Sequence, residues 1–107
     1  MRVFNTNTLL RFGKEHTEAD KAVRELARSL RAATWTRMAD VLAGYPSATP
    51  LNGERVVFKV KRNAYRAIVA FDFQRQAAFI KFIGTHAAYD RIDALTVSQF
   101  GKSSSLK

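Results

Sequence analysis

Lys59, Lys61, Arg66 and Lys81, followed by His86 and Tyr89, place four cations ahead of one imidazole and one phenol within a short stretch of chain. Side chains of these types can act on a phosphodiester. Cleaving RNA without a metal needs a deprotonated 2′-hydroxyl, a stabilised phosphorane and a protonated 5′-oxygen. A group of Lys and Arg can meet the second need. His86 can meet the first or the third, because histidine is the side chain that ordinarily titrates nearest neutrality. Tyr89, on the same helical turn as His86, can position a base or assist a proton transfer. A plainer reading stands beside each: Thr85 or His86 can simply cap a helix, and Tyr89 can be a half-buried helix residue.

The stretch Val56–Asp90 must form the elements that position them. β-Branched and aromatic residues dominate it, with turn residues at Arg62-Asn63 and Gln74-Arg75, so it reads as three short strands and then a helix. Alternation along a strand assigns the faces. Val56, Phe58 and Val60 oppose Val57, Lys59 and Lys61. Tyr65, Ala67, Val69, Phe71 and Phe73 oppose Arg66, Ile68, Ala70 and Asp72. Ala78, Ile80 and Phe82 oppose Phe79, Lys81 and Ile83. Turns with an even number of residues, and an Asn63 that tolerates positive φ, then give one apolar face and one face carrying Lys59, Lys61, Arg66 and Lys81. A slip of one residue would bury the charges, so the register is expected to be strongly specified.

A length of 107 residues suits one domain with a single core, expected over residues 1–100, with residues 101–107 (GKSSSLK) a disordered tail. Eighteen Lys and Arg against nine Asp and Glu leave a net charge of +9, which points to a polyanion such as nucleic acid, although a merely solvated basic surface is the bland alternative. There is no cysteine and there are only two histidines, His16 and His86, so neither a disulfide framework nor a zinc site is expected, and no cofactor. The start of the chain lacks a signal peptide's apolar core, and no apolar run approaches a membrane span; a cytoplasmic location without membrane contact is the expectation.

Taken in order, Arg2–Asn5 reads as a short strand at the sheet edge. Thr6–Lys14 reads as a short helix weakened by Gly13, with His16 a surface residue at its end. Thr17-x-x-Asp20 resembles a capping box, opening a helix over Glu18–Ala33 whose Val23, Leu26, Leu30 and Ala33 form the buried stripe. Lys21, Arg24, Arg28 and Arg31 form a neighbouring stripe, either a solvated face or a contact for phosphates. Trp35–Leu42 reads as a further short helix stopped by Gly44, with Trp35 a core anchor. Tyr45–Gly53 reads as a loop, and Arg91–Leu95 as an extension of the last helix.

The W-x-x-x-x-D of Trp35 and Asp40, the YPSA loop, N-x-Y-R at Asn63–Arg66 and G-T-H-x-x-Y-D at Gly84–Asp90 together resemble the HigB toxin family. That family falls within the RelE-like group of type II toxin–antitoxin ribonucleases, and the likeness runs from about Leu9 to Asp93. The resemblance implies a compact α+β fold, with N-terminal helices packed on one face of a small antiparallel sheet and a short C-terminal helix. It implies cleavage of messenger RNA on the translating ribosome, leaving a 2′,3′-cyclic phosphate, and a HigA-like helix-turn-helix antitoxin as partner. Lys59, Lys61 and Arg66 match the family's phosphate-binding positions, and Tyr89 its tyrosine. His86 stands where relatives carry arginine, and Arg62 where they often carry glycine.

The expected site is therefore His86, Arg66, Lys59 and Tyr89 for catalysis, with Lys61, Arg62, Lys81, Arg24 and Arg28 as RNA contacts. The alternative is a non-catalytic RNA- or ribosome-binding module using the same cationic face; a purely structural member of a protein complex is a third class.

Overall fold

A computed structural model describes residues 1–99. The element order is β1 (Arg2–Phe4), α1 (Thr6–Glu15), a 3₁₀ turn (Thr17–Ala19), α2 (Asp20–Ala32), α3 (Met38–Gly44), β2 (Thr49–Pro50), β3 (Arg55–Val60), β4 (Tyr65–Asp72), β5 (Ala77–Thr85) and α4 (His86–Tyr89). The strands make one five-stranded sheet in the order β1-β5-β4-β3-β2. The α+β architecture and the short last helix agree with expectation. The sheet is mixed rather than purely antiparallel, because edge strand β1 runs parallel to β5. The expected disordered tail falls outside the described residues.

Leu9 and Phe12 of α1 and Val23, Leu26, Ala27 and Leu30 of α2 bury against Val56, Phe58, Val60, Tyr65, Ala67, Val69, Phe71, Ala78 and Ile80. Fully burying a large side chain such as Phe58 or Ile80 stabilises by about 1.5–3 kcal/mol. Gly13, expected to weaken α1, has a positive use. A Cβ there would lie 2.6 Å from Asp20 Oδ1 and 2.9 Å from Val23 Cγ2, so its absence lets α1 pack closely on α2. Trp35 anchors the core as expected, edge-on to Phe71 and Tyr45 with centroids at 5.8 and 6.2 Å.

Several local expectations fail. The N-cap of α2 is Ala19, with no side-chain cap bond; Asp20 pairs instead with Arg24 Nε at 2.9 Å, one turn further on. The loop before β3 contains a short strand, β2, paired with Val56 and Val57. The last helix stops at Tyr89, and the chain beyond it turns back across the sheet.

The most consequential difference is a β-bulge. Val69 pairs with Ile80, but Ile68 pairs with Phe82, leaving Lys81 as an extra residue in β5. Alternation is therefore interrupted. Phe82, expected in the helix-facing core, lies on the opposite face with Val57 and Ile68; Ile83, expected on that face, joins the main core.

Candidate phosphate-binding site

The open face is smaller than strand alternation suggests. Val57, Ile68 and Phe82 form a second apolar cluster, covered by Leu51, Ala88, Tyr89, Ile92, Ala94 and Val97. Arg55 fixes this cover: 8 % exposed, it donates from Nη1 to the carbonyls of Ala94 at 3.0 Å and Val97 at 2.9 Å. What remains open is the far end of the sheet.

There Lys59 pairs directly with Arg66, and Arg66 with Gly84, in one row across β3, β4 and β5. Like charges directly opposite each other destabilise a sheet. A local conflict of this kind is what a functional site leaves in an otherwise consistent fold, and an anion over the row would relieve it. The turn before β4 keeps the parity that the facing of the charges requires, since residues 61–64 form an even loop. The positive φ falls on Lys61 (51°) and Arg62 (63°), not on Asn63. Asn63 serves the site in a different way, because its Oδ1 accepts a hydrogen bond from Arg66 Nη1 and so orients the guanidinium.

The guanidinium also lies over the ring of Tyr89, 5.9 Å from its centroid, and that ring leans on Phe82 at 6.3 Å. Glycine at position 84 makes the approach of α4 possible. A Cβ there would lie 2.7 Å from Phe82 Cζ and 3.2 Å from Ala88 Cβ. Thr85 is the N-cap, its Oγ1 accepting from Ala88 N at 3.1 Å. His86 follows at the first helical position, 53 % exposed, with Nδ1 3.5 Å from Asp90 Oδ2. Its described partner is thus Asp90, whereas the tyrosine one turn on is the residue that meets Arg66.

The other expected residues lie apart from this row. Lys61 has left the ladder, whose last pair is Val60 with Tyr65, and sits within electrostatic reach of Glu18 rather than beside Lys59. Arg62 is exposed in the turn. Lys81, as the bulge residue, turns its ammonium toward Phe79, 5.6 Å from the ring centroid. Partial burial, and next the charge of Arg55, hold the Lys81 ammonium below its ordinary pKa. Lys81 therefore belongs to the Arg55 end of the sheet. Arg24 and Arg28 are exposed on α2, on the opposite side of the sheet from Lys59.

Behind the row, the Tyr65 hydroxyl donates to Glu18 Oε2. That bond is the main reason the Glu18 carboxyl lies below its ordinary range and the Tyr65 phenol above its own. His16, at the end of α1 as expected, stacks on Phe12 at 4.0 Å. Among the described residues no group of three or more His, Cys, Asp or Glu side chains gathers that could hold a metal ion, and no helix is long and apolar enough to cross a membrane.

Asn63 and Arg55 are supporting residues that sequence reasoning misses. Patterning identifies Asn63 only as a turn former. Arg55 shares the parity of Val57 and Lys59, a signal that places it on this face, but its burial depends on a C-terminal cover that no periodicity announces.

Helices on one side of a small sheet, with a cationic row bared at one end of the other, define a compact basic α+β domain suited to a polyanion. Residues 19–92 match the family model HigB_toxin, described as the RelE-like toxic component of a toxin-antitoxin system. The chain belongs to this family, and it is the toxin component of a toxin–antitoxin system, with an antitoxin as its implied partner. No curated protein matches the chain.

Proposed function

We propose that this toxin is a metal-independent endoribonuclease that cleaves messenger RNA on the translating ribosome in the cytoplasm and so stops translation. The observation that carries this reading is the direct pairing of Lys59 with Arg66 on the uncovered end of the sheet, with Tyr89 against the guanidinium. Two cations held opposite each other suit a phosphate whose charge grows as the reaction proceeds.

In the proposed reaction the 2′-hydroxyl gives up its proton to solvent water as its oxygen attacks phosphorus, the bond to the 5′-oxygen breaks, and the products are a 2′,3′-cyclic phosphate and a 5′-hydroxyl. Lys59 and Arg66 neutralise the phosphorane. His86 passes a proton to the departing 5′-oxygen, and Tyr89 positions the neighbouring base. Lys61, Arg62 and Lys81 extend the contact to flanking phosphates, and Arg24 and Arg28 dock the ribosome from the helix side. The antitoxin is expected to be a HigA-like helix-turn-helix protein.

The test is to incubate purified toxin with a defined RNA in the presence of a chelator, and to map the ends. Cyclic-phosphate and 5′-hydroxyl ends, lost in Arg66→Ala, are expected. One observation favours a second reading, a non-catalytic RNA- or ribosome-binding module: the imidazole of His86 is paired with Asp90. Salt-dependent RNA binding with no new ends, on free RNA or on ribosomes, would select that reading and dismiss the nuclease.

A further inference from the structure

The same face of the sheet carries a second group that the cleavage row does not use. Phe4 of β1 pairs with Phe79 of β5, and their rings stack with centroids 4.9 Å apart and planes 13° apart. The Arg2 guanidinium lies 5.4 Å from the Phe4 centroid, and the Lys81 ammonium 5.6 Å from that of Phe79. The order is cation, ring, ring, cation. Phe79 pairs with Ala70, so the stack shares its face with Arg66. Phe4, 38 % exposed, is one of two exposed large hydrophobics among the described residues.

A surface phenylalanine pair with a cation at each end has a specific chemical complement. Aromatic rings offer a face on which any nucleobase can stack, and the flanking cations suit the phosphates on either side of it. A protein partner would be better served by a larger apolar patch without two cations in it, and the net charge of +9 favours a polyanion. β1 is the edge strand, so the outer face of Phe4 looks off the sheet, with Arg2 across it. A base entering there exchanges a cation–π contact for a stacking contact, and leaves the guanidinium within reach of the backbone.

We infer that Phe4 and Phe79, flanked by Arg2 and Lys81, form a base-stacking subsite for single-stranded RNA, separate from the Lys59–Arg66 row. Ala70 lies four residues along β4 from Arg66, about 13 Å at about 3.3 Å per residue. The C-terminal cover over Val57, Ile68 and Phe82 lies between the two. The subsite thus holds a nucleotide beyond the one that is cleaved, and it can select for unpaired RNA because a base must be free to stack. The inference rests on RNA being the polyanion of the proposed function, but not on its cleavage.

The experiment measures binding of a short labelled single-stranded RNA with a 2′-O-methyl backbone, which cannot be cleaved. Phe4→Leu keeps an apolar side chain and removes the ring; it is expected to bind about tenfold more weakly, the scale of one stacked base. An abasic position in the RNA should weaken binding to the wild type similarly and make no further difference to Phe4→Leu. Phe4→Trp should bind at least as well as the wild type, and its indole emission should be quenched by RNA. Trp35, the one natural tryptophan, packs against Phe71 and Tyr45 on the other side of the sheet and gives a constant background.

Wild-type affinity in Phe4→Leu, or indifference to the abasic position, overturns the subsite. So does a Phe4→Leu variant that keeps RNA affinity but loses its antitoxin, which would make the stack a protein-docking surface. Failure of the proposed nuclease is separable. If no RNA is cleaved while Phe4 still governs affinity, the chemistry falls and the subsite stands. If RNA is cleaved and Phe4→Leu binds normally, the reverse holds. A wild type that binds no RNA at all removes both.

Discussion

The guanidinium of Arg66 stands 5.9 Å from the centre of the Tyr89 ring, and this contact joins β4 to the short helix that follows β5. The cation is held from two sides, by the ring and by the Asn63 amide oxygen. Pre-orientation of this kind reduces what an incoming phosphate must organise, which is where preorganised charge is most effective.

Lys59→Ala and Arg66→Ala should each weaken RNA binding and cleavage about tenfold to a hundredfold, the scale of one lost hydrogen bond to a charged group. The fold should survive. Because the two cations oppose each other, Lys59→Ala is expected to melt at or slightly above the wild-type temperature. Contacts to phosphate also make the loss similar across RNA sequences. A melting point several degrees lower in Lys59→Ala, or undiminished toxicity in either variant, would remove the row from the site.

His86 can be separated into proton donor and phosphate ligand. If it donates the proton, as proposed, His86→Arg should be almost as damaging as His86→Gln, at about a hundredfold or more. An RNA with a 5′-phosphorothiolate at the scissile bond should restore His86→Gln, because that leaving group needs no acid. An active His86→Arg, with no restoration of His86→Gln on the thiolate, would reduce His86 to a ligand; arginine binds phosphate at least as well.

Arg55 lies far from the row but holds the chain that continues from α4. Arg55→Met should cost about 1–3 kcal/mol, since two part-buried carbonyls lose their donor. Amide exchange over residues 90–97 should quicken before that of β4. Equal exchange in both segments would mean that the cover is not a separate cooperative unit.

The Glu18–Tyr65 bond should shape stability at both ends of the pH scale. The folded pKa of Glu18 is depressed, chiefly by the Tyr65 hydroxyl. Its contribution is therefore present above the ordinary carboxylate range and fades as the pH falls through the lowered value. The folded pKa of Tyr65 is raised above its ordinary 10.0, chiefly by Glu18. Its contribution is present below that value and fades as the pH rises through the raised one. Tyr65→Phe keeps the ring in the core and should flatten both limbs of a plot of melting temperature against pH. Flattening of neither limb would show that the bond contributes nothing in solution.

The parts of the molecule that can be read from sequence are those where a single periodicity decides. The opposition of Lys59 to Arg66 follows from an even turn, and it holds although the turn is longer than the two residues expected and takes its positive φ elsewhere. Val23, Leu26 and Leu30 follow from helical spacing. Phe82 and Ile83 exchange faces because one unpaired residue interrupts a ladder without any mark in composition. The cover over Val57 and Ile68 escapes sequence reasoning because it is irregular chain, held by the Arg55 guanidinium on two of its carbonyls and by the Gln99 amide on the backbone of Ile83. Lys81 follows the bulge and so leaves the group it was expected to join.

That bulge decides which changes of length the domain can absorb. Substitution at position 81 alters one charge and leaves the frame of the strand intact. Deletion of the same residue would make Phe82 the direct neighbour of Ile80 and give an uninterrupted ladder in which every residue from Phe82 to Thr85 keeps its present face. Phe82 would stay under the cover, Ile83 in the helix-packed core and Gly84 opposite Arg66, whereas one residue added beyond the bulge would turn all that follows it over to the other face. At this one position the strand can lose a residue and keep both of its faces.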